Sequence, residues 1–191
     1  ADICDTLIAL ARKGLRVLRL KGGDPFTFGR GAEEARALMA AQVPLQVVPG
    51  ITSGIGGLAY AGIPLTERGD NQAVTFVTGH DATGGPAASV NWPALAKLSG
   101  TIVVYMGMKH AGPISRALIT GGRAPDEIVS IVMSATTSAQ RVIVSRLDRI
   151  EADILAAGLE PPALLVIGKG VLIPGQAAPR VTLHPFSIAA E

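Results

Sequence analysis

"RLKGGDPFTFGRGAEE", residues 19–34, leaves an apolar run, bends through four glycines and a proline around one aspartate, and then resumes a helical pattern. Strand, glycine loop and helix in that order open a βαβ unit, whose strands run parallel and whose crossover is right-handed. Upstream, "LRVLRL" (15–20) reads as the strand that feeds the loop. Before it, Ile3, Leu7, Leu10 and Ala11 share one face of a helix over 3–13 that Gly14 stops. Downstream come a helix over 31–41, a strand "LQVVP" (45–49), a turn, and a helix over about 52–61. This alternation predicts a parallel sheet.

The segment "AGIPLTERGDNQ", residues 61–72, is rich in turn residues and charge, and the boundary between two domains is drawn within it. Beyond it the pattern gives strands over 73–79, 101–106, 128–134, 139–147 and 163–170. Helices fall near 92–98, 109–121 and 147–157. Two of those strands follow each other without a helix, which requires an antiparallel pair and therefore a mixed sheet. The fold class expected is α/β: a parallel-sheet domain over 1–66, a mixed-sheet domain over 67–173, and an extended tail with three prolines over 174–191.

Composition narrows the function classes. Of 191 residues, 48% are hydrophobic and 17% charged, which argues for packed cores rather than disorder. No apolar run reaches the roughly 18 residues a membrane span requires, and no basic leader precedes an apolar stretch, so no membrane partner is expected. One cysteine, Cys4, excludes an internal disulfide and suits a reducing cytoplasm. His80, His110 and His184 lack ligand spacing, so no metal is expected. A net charge of +2 and 4% aromatic residues offer little to nucleic acid.

Ligands of open α/β sheets bind beyond the carboxyl ends of strands, and three loops here leave such ends: "KGGDPFTFGRG" (21–31), "PGITSG" (49–54) and "YMGM" (105–108). In the first, Gly22 and Gly23 allow positive φ and close approach, Pro25 stiffens the bend, and Asp24 either holds a polar ligand or caps the turn. In the second, Thr52 and Ser53 are placed to cap the next helix or to reach a ligand. In the third, Met106 is either a core residue or a soft apolar wall for a flat ring. Gly54, Gly56 and Ala59 repeat a dinucleotide-binding spacing, but they fall inside a helix and no acidic residue ends a second strand about 20 residues on. His80, Arg30, Arg68, Lys109 and Arg141 lie near loop ends, where cations bind carboxylates or stay solvated. No Gly-x-Ser-x-Gly, Walker or HExxH motif occurs.

Taken together, "VLRLKGGDPFTFGRGAEE", "VVPGITSGIGGLAYAGIPLTERG", "VTGHD", "YMGM" and "TSAQRVI" resemble the tetrapyrrole methylases, over residues 1–171. The resemblance is strongest to members acting on uroporphyrinogen III. It implies a two-domain enzyme, usually a homodimer, that binds S-adenosyl-L-methionine between its domains and methylates C2 and C7 of uroporphyrinogen III to give precorrin-2. Carried over by position, it assigns Gly22, Gly23, Asp24, Thr27, Thr52, Ser53, Met106 and Ala135 to the cofactor. Ala135 stands where relatives often have glycine, so only a backbone contact is implied there. Arg30, His80 and Arg141 are the candidates for the substrate's carboxylates.

The resemblance also implies a first strand, a glycine-proline loop and a segment with an acidic and a basic proton-transfer residue, all ahead of residue 1. The catalytic residues are therefore unassigned, and these 191 residues alone are expected to be inactive or very weak. Two alternatives stay open: another precorrin methylase, or a non-catalytic module binding S-adenosylmethionine or a tetrapyrrole.

Overall fold

A computed structural model describes residues 2–81, 85 and 87–168. The tail expected over 174–191 lies outside the described residues, as do parts of the loop after residue 81. The chain divides into two compact units, one ending at Ser53 and the other beginning at Gly54.

In the first unit, α1 (Ile3–Arg12) starts at Asp2, whose carboxylate accepts from the Cys4 amide at 3.2 Å and satisfies one orphan donor of the first turn. Gly14, at φ 77°, closes the helix as its pattern predicts. Helix α2 (Gly31–Ala40) packs against α1. Its Glu34 reaches the extended chain after α1, accepting from Arg19 at 3.2 Å and Lys21 at 3.0 Å.

The parallel sheet expected of this unit is not formed among its described residues. Residues 15–20 and 45–49 run without helix or ladder, and Leu18, Leu20 and Val48 stand largely exposed. The physical reason is that a strand is a pairing, and no neighbour among the described residues supplies the hydrogen bonds that would make one of either segment.

The second unit carries one five-stranded sheet in the order β1-β2-β5-β3-β4, formed by β1 (Val74–Thr78), β2 (Thr101–Tyr105), β3 (Ile128–Met133), β4 (Arg141–Arg146) and β5 (Ala163–Ile167). Strands β1 and β2 are parallel, whereas β2–β5, β5–β3 and β3–β4 are antiparallel. This is the mixed sheet the helix-free strand pair requires. Alternation decides the two faces: Ile102, Val104, Leu165 and Ile167 join Trp92, Ile114, Leu118 and Ile150 in one core. That core holds α4 (Trp92–Ala96), α5 (Ala111–Thr120) and α6 (Ile150–Ala156) against the sheet. Val103, Tyr105, Leu164 and Val166 point the other way, onto Leu58, Ala61 and Ile63.

Those last three residues explain why the division falls at 53/54 and not near 66, where the turn-rich segment suggested it. Helix α3 (Ser53–Tyr60) and the chain after it supply one face of the second unit's core. Buried Asn71 fastens the turn itself, donating to the Leu65 carbonyl at 2.7 Å and to the Thr101 hydroxyl. A segment rich in turn residues is thus a packed connection here.

Candidate functional site

Asp24 organises the glycine loop of the first unit. One carboxylate oxygen accepts from the Phe26 amide at 2.9 Å and the Thr27 hydroxyl at 3.1 Å, and the other from the Gly50 amide at 3.3 Å. The Gly50 bond foremost, with the Phe26 and Thr27 bonds behind it, holds the carboxyl below the usual aspartate range. Asp24 therefore cross-links "KGGDP" to "PGITSG", two loops far apart in sequence. Glycine is required where they meet: a Cβ on Gly50 would lie 2.5 Å from the Gly23 carbonyl oxygen. Gly23 itself sits at φ 149° with the Ile51 carbonyl 3.3 Å from where its Cβ would be, while Gly22 faces open space. Thr52 is buried beside this contact, and Ser53 opens α3.

The same loop turns back on itself, the Gly31 amide donating to the Pro25 carbonyl at 2.9 Å. That bend puts Phe28 at φ 51° and Arg30 at φ 58°, left-handed conformations uncommon for residues with side chains. Arg30 gives Nε and a terminal nitrogen to one oxygen of Glu33, at 3.1 and 2.8 Å, so this cation is already paired on the surface.

In the second unit the strand directions gather the remaining candidates. Thr78 pairs with Tyr105, Tyr105 with Leu164, and Met133 with both Ala163 and Arg141. The carboxyl ends of β1, β2 and β3 thus share one end of the sheet with the start of β4. His80, Met106, Ala135 and Arg141 all follow or open strands at that end, and Ala135 packs on the second core. Arg141 donates to the Ala157 carbonyl at 3.0 Å.

Backbone strain marks the loops at this end. Met106 has φ 54°, and Ser134 and Thr136 have 47° and 68°. Such conformations cost of order 1–3 kcal/mol each and persist where the surroundings dictate them, commonly at binding sites. The turn after β2 is dictated by crossing backbones: the Gly79 amide donates to the Tyr105 carbonyl at 2.7 Å, and a Cβ on Gly79 would fall 2.4 Å from the Gly107 Cα. The left-handed turn presents Met106 outward, nearly half exposed, rather than as the core residue its apolar strand suggested.

Sequence reasoning missed Tyr105, whose hydroxyl accepts the Gly54 amide at 2.7 Å. A tyrosine ending an apolar strand gives no sign of a bond 51 residues back. It missed Ser134 and Thr136 as well, although a cluster such as "SATTS" (134–138) after a strand signals a special turn. A cavity of about 450 Å³ in this unit, lined by Met108, Lys109, Gly112, Glu151, Leu155 and Glu160 among others, holds Lys109 of the loop-end cations but none of the residues assigned to cofactor or substrate. It lies against α5 and α6.

Among the described residues no group of histidine, cysteine and carboxylates is arranged to hold a metal, and no helix is long and apolar enough to cross a membrane.

Residues 1–151 match the family of tetrapyrrole (corrin/porphyrin) methylases. A uroporphyrinogen-III C-methyltransferase of Sinorhizobium sp. is 59% identical over 170 residues, covering 89% of this chain and 61% of the relative. A relative from Methanosarcina barkeri, an S-adenosyl-L-methionine-dependent uroporphyrinogen III methyltransferase, is 44% identical over 168 residues, covering 88% of this chain and 66% of that one. The crystal structure of uroporphyrin-III C-methyl transferase from Thermus thermophilus with S-adenyl homocysteine superposes with a TM-score of 0.76 at 37% identity, over 87% of this chain and 68% of that one. The chain spans about three fifths of the length of its Sinorhizobium relative.

Proposed function

From the premise that the chain belongs to the tetrapyrrole methylase family, we propose that it serves an S-adenosylmethionine-dependent C-methyltransferase acting on uroporphyrinogen III. In this reading C2 and C7 are methylated to give precorrin-2, on the way to sirohaem or cobalamin, by a cytoplasmic homodimer. One observation carries the proposal: 59% identity with a uroporphyrinogen-III C-methyltransferase extends across 89% of the chain.

The loops suit the cofactor. Bound there, S-adenosylmethionine supplies a methyl group already activated by its sulfonium, so no protein nucleophile is needed. What the residues contribute is placement. Gly22 leaves the backbone open to a polar ligand, Gly23 lets the two loops approach, and Asp24 with Thr27 holds that backbone in one shape. Thr52 and Ser53 offer hydroxyls at the start of α3, Met106 offers its outward thioether, and Ala135 offers backbone. Fixing donor and acceptor in a near-attack geometry contributes up to roughly 7–11 kcal/mol of a barrier.

An octacarboxylate substrate calls for converging cations, and His80, Arg30 and Arg141 are proposed for that role. Arg30 would exchange its surface partner Glu33 for a substrate carboxylate, a small loss because both partners of that pair are exposed to solvent.

The test is an assay of methyl transfer from S-adenosylmethionine to uroporphyrinogen III with mass analysis of the product, alongside calorimetry with S-adenosylhomocysteine. Dimethylated product confirms the reading, and product methylated at other ring carbons replaces it with another precorrin methylase. Cofactor binding without turnover reduces the chain to a binding module. Analytical ultracentrifugation tests the dimer.

A further inference from the structure

We propose that Tyr105 is a positioning residue for the proposed cofactor loop at Met106: its hydroxyl, by accepting the Gly54 amide, sets the first turn of α3 against the end of β2. The proposal rests on the methyltransferase reading and names a determinant of cofactor affinity within it.

Three observations converge on this residue. First, helices begin with amide donors that have no partner inside the helix, and the Gly54 amide in the first turn of α3 goes to the Tyr105 hydroxyl at 2.7 Å, buried. Second, the approach is close enough to dictate sequence at the other end: a Cβ on Gly54 would lie 2.3 Å from that hydroxyl oxygen, so only glycine is accommodated. Third, the ring itself is held, packed edge-on against Phe76 at a centroid distance of 6.1 Å and inside the core with Leu58 and Val103.

Chain neighbours give the bond its functional meaning. Tyr105 directly precedes Met106, which is forced into the left-handed region, and Gly54 directly follows Thr52 and Ser53. A single hydroxyl thus ties the residue before the proposed cofactor loop at Met106 to the first turn of α3. A hydrophobic ring alone would fill the same core. The hydroxyl adds a specific register between the first turn of α3 and the end of β2, and affinity for a ligand at the left-handed turn of Met106 depends on that register.

Calorimetry with S-adenosylhomocysteine on three proteins separates this from mere stability. The wild type binds; Tyr105→Phe binds about tenfold more weakly. Phe76→Leu, which removes the ring packed on Tyr105 but leaves the hydroxyl, lowers the melting temperature and keeps affinity within twofold. Unchanged affinity in Tyr105→Phe overturns the proposal, as does an equal loss in both variants. A wild type that does not bind overturns the cofactor reading itself, and is distinguishable because no variant is involved. Amide exchange in the wild type gives the answer without substitution: S-adenosylhomocysteine should slow the Gly54 and Met106 amides together. Protection of Met106 with Gly54 unchanged overturns the proposal.

Discussion

Residues 15–20, "LRVLRL", and β2, "TIVVY", are short apolar segments that each lead into a glycine-containing loop. Their fates are opposite. Every residue of β2 is buried, with β1 on one side and β5 on the other, whereas Leu18 is 85% exposed and its segment makes no ladder. What separates them is neighbours rather than composition. Hydrophobic content announces that a segment will be buried if it pairs; it cannot announce that a partner strand is at hand.

The comparison breaks most sharply in the cores. Leu165→Ala on β5, fully buried beside β2, should cost about 2–5 kcal/mol in urea unfolding of the second unit. Leu18→Ala should change stability by no more than about 0.5 kcal/mol. A large loss at Leu18 would mean that residues 15–20 are paired in solution, and the contrast would disappear.

Polar anchors sharpen it next. Asn71→Ala removes a buried amide that donates to the Leu65 carbonyl and the Thr101 hydroxyl, so each loses a donor and only the Thr101 hydroxyl's own bond to the Leu65 carbonyl, at 3.3 Å, is left between them. A cost of about 1–3 kcal/mol is expected, again by denaturant unfolding. In the first unit the corresponding fastening is an ion pair: Glu34 holds Lys21, with side chains 12% and 14% exposed. Glu34→Gln keeps one acceptor and loses the charge, for an expected cost of about 1 kcal/mol. The readout is faster amide exchange over residues 15–21, with the second unit unaffected.

How much could be read in advance follows the same division. Helix α1, with a capping residue, a periodic face and a glycine stop, was legible because its hydrogen bonds close within the segment. The five strands of the second unit were legible because their apolar alternation is answered by neighbours in the same chain. The strands expected in the first unit were not, since pairing is non-local. At the candidate site the loops were visible through glycine and proline, but the bond from Tyr105 to Gly54 was not, since nothing local to a tyrosine names its acceptor or donor 51 residues away. The role of Asp24 was half visible: its position in the loop was clear, its bond to Gly50 was not.

Asp24 offers the smallest effect and the finest test. Its folded carboxyl lies below the ordinary aspartate range, chiefly through the Gly50 amide. A group with a lowered folded pKa contributes stability in full above its unfolded pKa, about 3.9, and loses it as the pH falls through the folded value. Acidification below about pH 4 should therefore release the "PGITSG" loop from "KGGDP" before the mixed sheet is affected, seen as faster exchange of the Gly50 amide. Asp24→Asn separates the two halves of the carboxylate. Its amide oxygen still accepts from Phe26 and Thr27, but its NH₂ then faces the Gly50 amide, donor against donor. The asparagine variant should show the rapid Gly50 exchange at neutral pH and no further change on acidification. It should also weaken S-adenosylhomocysteine binding more than twofold, because the loop that receives the ligand is no longer held. Unchanged Gly50 exchange in that variant would mean the cross-link is not what shapes the loop, and the two loops would have to be treated as independently ordered.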